Sequence, residues 1–179
     1  WTVLDSAAGA LAGGLALLPL VDYLAQPQPT THGVWLAPTD NAATLEAHLA
    51  TLRLVAVRFP SFGDGRGYSI AALLRRGGYR GDLRAIGEVL VDQLHMLRRV
   101  GFTSFALRAD QTEQDALTAL NRYSDPYQGT YDALLPAFRR QPRLLDSRVR
   151  RAEPDLASVE VRQPERPRAP ARRADEEQG

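Results

Sequence analysis

Along residues 1–135, short apolar runs alternate with longer stretches in which apolar positions recur every three or four residues. Thr2 to Leu4, Gly33 to Leu36, Leu54 to Phe59, Leu83 to Ile86 and Ser104 to Leu107 have the length and composition of buried strands. Between them the pattern predicts helices beginning near Asp40, Ser69, Gly87 and Thr112, and another across Leu15 to Ala25. Asp40 suits the N-cap of a helix carrying Leu45, Leu49 and Leu52 at helical spacing. Val89, Leu90, Gln93, Leu94 and Leu97 make the next apolar stripe, which Gly101 ends before Phe102. Strand and helix in alternation predict one α/β domain over residues 1–135, with a mostly parallel sheet and right-handed crossovers, either an open sheet or a partial barrel. Five strands are too few for a closed eight-stranded barrel. In such folds ligands bind beyond the carboxyl ends of the strands, which directs attention to the loop after Phe59.

Two segments break the alternation. Residues 7–21, AAGALAGGLALLPLV, resemble the apolar part of a signal peptide. However, Asp5 precedes the run where a signal carries positive charge, glycines and Pro19 interrupt it, and it is shorter than the roughly 20 residues of a membrane span. It is expected to be buried structure in a cytoplasmic protein. Residues 136–179 hold six of the twelve prolines and eleven of the 22 arginines, but a single aromatic, Phe138. A segment this poor in apolar area is expected to be mostly disordered. No aromatic residues interleave with its charges, so a solvated tail is the expectation rather than a nucleic-acid arm.

Composition narrows the chemistry. The 22 basic residues are all Arg and face 21 acidic ones, a net charge of +1 that points to neither nucleic acid nor a membrane surface. The chain has no Lys to form a Schiff base or a P-loop, and no Cys for a disulfide, a thiolate nucleophile or an iron–sulfur cluster. Its three histidines, His32, His48 and His95, are widely spaced and lack metal-ligand patterning, so no built-in metal is expected. No cofactor motif is identifiable; a flavin held noncovalently through backbone and Arg contacts is compatible with the composition.

The loop after Phe59 reads Phe62, Gly63, Asp64, Gly65, Arg66, Gly67, Tyr68, Ser69 and leads into the helical IAALLRR. Its glycines permit close backbone approach, Ser69 is placed to cap the helix, and the helix N-terminus favours an anion. Arg66 adds a planar fork suited to phosphate, sulfate, sulfite or carboxylate. The plainer alternative is a tight turn in which Asp64 and Arg66 pair with each other. The string is not GxGxxG and lacks the P-loop Lys.

The longer string FGDGRGYSIAALLRR, GYRGDLRAIGEVLVDQL, RRVGFTSFAL and YSDPYQ, from about Leu54 to Gln128, resembles the bacterial domain-of-unknown-function 934 family. DGRGYS, GxLRAxG, DQL, RxGFxxF and YQ occur in the family's order. The resemblance implies an oxidoreductase or accessory protein of sulfite reduction, without conveying a reaction, and partners among sulfite reductase or the enzymes of sulfate assimilation. It maps the family pattern onto Asp64, Gly65, Arg66, Gly67, Tyr68, Ser69, Arg75, Gly81, Leu83, Arg84, Gly87, Asp92, Gln93, Tyr127 and Gln128. Asp82 stands where the family has Glu and Glu88 where it has Asp, and the stretch between Arg75 and Gly78 is shortened.

Read from their positions, Arg66 in its loop and Arg84 near the end of the neighbouring strand are expected to converge on an anionic small molecule. Arg75, Asp92, Gln93, Tyr127 and Gln128 are supporting candidates at this site: Asp92 and Gln93 are placed to orient an Arg, and for Asp92, Gln93, Tyr127 and Gln128 a structural role is the expectation. Two functions follow as expectations. One is a component of assimilatory sulfite reduction that binds an oxyanion or nucleotide-derived ligand at residues 62–69. The other is a non-enzymatic protein that docks on a sulfite reductase or its electron donor.

Overall fold

A computed structural model describes residues 2–3, 5, 16–26, 32–123, 127–136, 139 and 160–162. Its strands are β1 (Thr2–Val3), β2 (Ala16–Pro19), β3 (Gly33–Leu36), β4 (Leu54–Phe59), β5 (Asp82–Gly87), β6 (Ser104–Ala106) and β7 (Glu160–Arg162). Its helices are α1 (Leu20–Leu24), α2 (Arg66–Arg76), α3 (Leu94–Arg99) and α4 (Glu113–Asn121), with 3-10 helices at Ala42–His48 and Val91–Gln93. The strands form one open sheet in chain order, every pair parallel. The longest pairing joins β4 to β5, from Leu54 opposite Asp82 to Phe59 opposite Gly87.

When each strand pairs with its successor, right-handed crossovers deliver every connecting helix to the same face. The core has that layout. Leu18, Val34, Leu36, Val55, Val57, Phe59, Leu83, Ala85 and Phe105, alternate residues of their strands, pack with Leu20, Leu45, Ile70, Leu74, Leu94, Leu97, Ala116 and Leu120 from the helices. The residues between them, Leu17, Leu54, Ala56 and Ile86, form a second buried cluster on the other face with Trp35 and Ala106 against it.

The helix α2 carries the family-like loop at its start. Gly67, Ile70, Ala71, Leu74 and Arg75 form its buried stripe, at the three-and-four spacing that keeps one face inward. Arg75 and Arg76 lie in its last turn, where cations oppose the helix dipole, and Gly78 at φ 93° lets the chain turn towards β5.

Several boundaries differ from the sequence expectation. The run Leu15 to Ala25 is not one helix: it is β2 followed by α1, and Pro19 at φ −55°, ψ 149° closes the strand and opens the helix. The segment after Asp40 is a 3-10 helix capped by Asn41, whose side chain accepts from Ala43 N–H, while Asp40 accepts from Ala37 N–H at 2.7 Å. The stripe from Val89 begins as a 3-10 turn at Val91 rather than near Gly87. Helix α4 begins beside Thr112, as expected, and Thr112 caps it, accepting from Asp115 N–H at 3.2 Å. Apart from residue 139 and β7 at 160–162, the tail beyond Pro136 lies outside the described residues, as does most of the 7–21 run. Among the described residues no helix is long and apolar enough to cross a membrane.

Candidate functional site at the carboxyl edge

The loop leaving β4 makes a turn, with Asp64 N–H donating to the Ser61 carbonyl at 3.2 Å. Asp64 then receives three hydrogen bonds from Arg66: from its backbone N–H at 3.1 Å and Nε at 3.0 Å on Oδ1, and from Nη2 at 2.7 Å on Oδ2. The carboxylate therefore occupies the helix N-terminus that sequence reasoning offered to an external anion. The N-cap is Gly65, and α2 starts three residues before Ser69, which lies inside the helix and caps nothing. Hydrogen bonds from Arg66 hold the Asp64 carboxyl below the usual carboxylate range, and the same pairing pushes the guanidinium up. The Asp64 side chain is 9% exposed and that of Arg66 58%, so the carboxylate anchors a guanidinium that stands out in solvent.

Around this pair the loop is tied down. Gln93 donates through Nε2 to the Phe62 carbonyl at 3.1 Å and accepts from Leu90 N–H at 3.0 Å, joining the loop after β4 to the turn after β5. Tyr68 packs edge-on against Phe59 at 5.7 Å; burial pushes its hydroxyl up, offset in part by a hydrogen bond with Gln93. Gly67 is required by space, because a Cβ there would lie 2.5 Å from the Phe59 ring. Asp92 is exposed in the adjoining turn.

A further charged group at this edge was missed by the sequence reading. Arg108, beyond the end of β6, pairs with Asp110 at 2.6 and 2.7 Å and with Glu88, beyond the end of β5, at 3.2 Å. Arg108 pushes Asp110 down to about 2. The rule that selected residues 62–69, loops after parallel strands, applies equally to residues 88 and 108–110 and would have found them.

Arg84 does not join Arg66. It lies opposite Ala56, three residues before β5 ends at Gly87, roughly 10 Å short of the edge at strand rise. Strand alternation turns it to the face away from the helices, where Nε donates to Ser104 Oγ at 3.0 Å and Nη2 to Asp82 Oδ2 at 3.2 Å. Ser104 Oγ also donates to Asp82, at 2.8 and 2.9 Å, as does the Thr103 hydroxyl. The expected convergence of the two arginines is thereby corrected: strand parity separates them.

Residues 33–138, more than half of the chain, match the family model described as bacterial protein of unknown function, DUF934. The chain belongs to the DUF934 family. No curated protein and no solved structure matches it. The match begins at β3, upstream of the Leu54 start suggested by the motifs, and ends before β7.

Several motif positions shared with the DUF934 pattern build the scaffold. Arg75, 6% exposed, donates Nε and Nη2 to the Gly101 carbonyl at 2.9 and 2.6 Å, and Nη1 to the carbonyls of Tyr79 and Gly81 at 2.9 and 3.0 Å. Its guanidinium lies between the rings of Tyr79 and Tyr131, at 5.2 and 5.3 Å. Gly101, at φ 110°, leaves the room this needs, since a Cβ there would lie 2.6 Å from Arg75 Cγ. The Gln128 carbonyl accepts from Arg99 Nη2, bringing the YQ and RxGF motifs together, while Tyr127 is exposed. Among the described residues no three His, Asp or Glu side chains cluster as a metal site would require.

Proposed function

We propose that this chain is a component of assimilatory sulfite reduction that takes an oxyanion, or the anionic group of a nucleotide-derived sulfur intermediate, on Arg66. The two-point grip of Asp64 on Nε and Nη2 carries the reading, because it orients the fork and leaves Nη1 and one Nη2 hydrogen outside the pair. A Cβ at Gly63 or Gly65 would meet nothing within 4 Å, so the loop is open to an approaching ligand. The link to sulfur metabolism comes from the resemblance of the motifs. The test is thermal shift with sulfite, sulfate, phosphate and adenylylsulfate titrated to about 100 mM, well above a millimolar dissociation constant, the parent against Arg66→Gln and Arg66→Lys. Each charged hydrogen bond to the anion contributes about 1.5–3 kcal/mol, so Gln should abolish most of the response and Lys should restore part of it. An unchanged response in Arg66→Gln refutes the site. Deletion of the gene should abolish growth on sulfate or sulfite while leaving growth on sulfide; equal growth on all three refutes the pathway.

The docking reading has its own supporting observation: Phe62, in the same loop, is 54% exposed. An exposed aromatic in the same loop as an oriented Arg is the composition of an interface hot spot. Phe62→Ser that loses co-purification with a reductase subunit, while anion binding persists, would favour it.

A further inference from the structure

We infer that α3 carries a second oxyanion site, formed by His95, Arg98 and Arg99. It shares no residue with the loop at 62–69 and stands whether or not that reading survives.

Among the described residues, three buried side-chain nitrogens lack a hydrogen-bond partner: His95 Nδ1, Arg98 Nη1 and Arg99 Nε. All three belong to one turn of α3. Positions i, i+3 and i+4 lie on the same helix face, so these side chains leave α3 in a common direction. Buried polar groups are paired in nearly all native structures, and an unpaired donor costs about 1–3 kcal/mol. Three such groups on one face point to a missing acceptor that serves them together.

The surroundings define its charge. The Arg99 side chain is 7% exposed; its Nη2 donates to the Gln128 carbonyl, and its Nε stands 3.6 Å from Asp132 Oδ1, an ion pair beyond hydrogen-bond reach. Among the described residues Asp132 is one carboxylate against two guanidinium groups, one positive charge in excess. The His95 ring packs on Tyr123 at 4.9 Å, and burial followed by Arg98 and Arg99 holds its pKa below the ordinary value, with Asp132 opposing. The shift favours the neutral imidazole, which has one N–H to donate and one lone pair to share.

A tetrahedral oxyanion fits this set. Its oxygens accept from several directions, as two guanidinium forks and an imidazole on one helical turn demand, whereas a water supplies two lone pairs and no charge. The source is either a free inorganic ion or the phosphate of a nucleotide, and the exposed rings of Tyr123 and Tyr127 would add stacking only to the latter.

The experiment uses the full chain carrying Arg66→Gln, so that binding at the carboxyl edge does not contribute. Calorimetric titration with inorganic sulfate and with adenosine 5′-monophosphate is compared between this protein and the same protein with Arg98→Gln. Among the described residues the Arg98 side chain makes no hydrogen bond or ion pair, and its backbone carbonyl, which accepts from Gly101 N–H, is kept in the variant, so the scaffold stays intact. Affinity for sulfate should fall at least tenfold. In parallel, the His95 ring, assigned among three histidines with His95→Gln, is titrated by NMR; bound sulfate should raise its pKa, because an anion favours imidazolium. Tighter binding of the nucleotide than of sulfate identifies the nucleotide as the source. Absence of binding, equal binding after Arg98→Gln, or a His95 pKa that saturating sulfate does not move overturns the site and leaves ordered water as the partner of these nitrogens.

Discussion

Replacing Arg75 with Met should cost about 3–5 kcal/mol of folding stability without altering the surface of the protein. The guanidinium makes four hydrogen bonds to three backbone carbonyls, those of Gly101, Tyr79 and Gly81. Methionine retains much of the aliphatic stem but leaves all three acceptors without their donor. At about 1–3 kcal/mol for each buried unsatisfied group, the gross loss is roughly 3–9 kcal/mol. Part is returned, because burial depresses the Arg75 pKa, the sign that its charge is carried at a desolvation cost. The loss of ring contacts with Tyr79 and Tyr131 adds about 0.5–2 kcal/mol. Arg75→Lys should recover only a fraction, since a single ammonium cannot span three carbonyls on two loops. Urea denaturation followed by circular dichroism measures the change, with an unaltered slope showing that the same surface unfolds. A midpoint within the equivalent of 1 kcal/mol of the parent would mean that water replaces the guanidinium and that the clamp holds nothing.

Gly67→Ala tests close packing at the start of α2. Helix propensity favours the change by about 0.5–1 kcal/mol, but the new Cβ meets the Phe59 ring, which Tyr68 and Phe102 hold at 5.7 and 5.9 Å, so a net loss of about 1–2 kcal/mol is expected in the same denaturation assay. His95 should make stability depend on pH. Its folded-state pKa is depressed, so the unfolded chain takes up the proton first, and stability should fall as pH drops below about 6.5 towards the folded value. His95→Gln should flatten that slope in melting curves at pH 5 to 8 without added anion; an unchanged slope would assign the pH dependence elsewhere.

The four central strands were legible because each is a short apolar run bounded by turn residues; β4 and β3 match the sequence expectation to the residue. The strand β2 was not, because Ala-Leu-Leu is a strong helix former and only its parallel pairing with β3 makes it extended. Arg84 was misplaced for a reason visible in the sequence. Leu83 and Ala85 on either side of it are the apolar, helix-facing positions, so period-two alternation already sent Arg84 to the opposite face. The role of Arg75 could not be read locally, since its principal acceptor lies 26 residues away. The Asp64–Arg66 pair is the plainer alternative offered by the sequence, and the structure shows it.

That pair also sets the scale of what Arg66 can do. With Nε and one Nη2 hydrogen committed to Asp64, the free edge offers an oxyanion about two charged hydrogen bonds, at an exposed position where solvent and salt weaken them. Two such bonds at about 1.5 kcal/mol each fall short of the 4.1 kcal/mol that corresponds to a millimolar dissociation constant. A free ion held by Arg66 alone would therefore dissociate at most cellular concentrations. The remaining affinity must come from contacts beyond the oxyanion, either the rest of a larger ligand or a protein surface that closes over the loop. Phe62, exposed in the same loop, supplies apolar area for the second of these, and a surface covering the loop would remove water from the ion pair and strengthen both bonds. Under the proposed function, oxyanion capture and docking would then be one event, in which the partner completes the site and Arg66 contributes fully only within the complex. On this argument Phe62→Ser should weaken anion binding little in the isolated chain and strongly in the presence of the reductase. Equal weakening in both conditions would show that the loop binds its anion unaided.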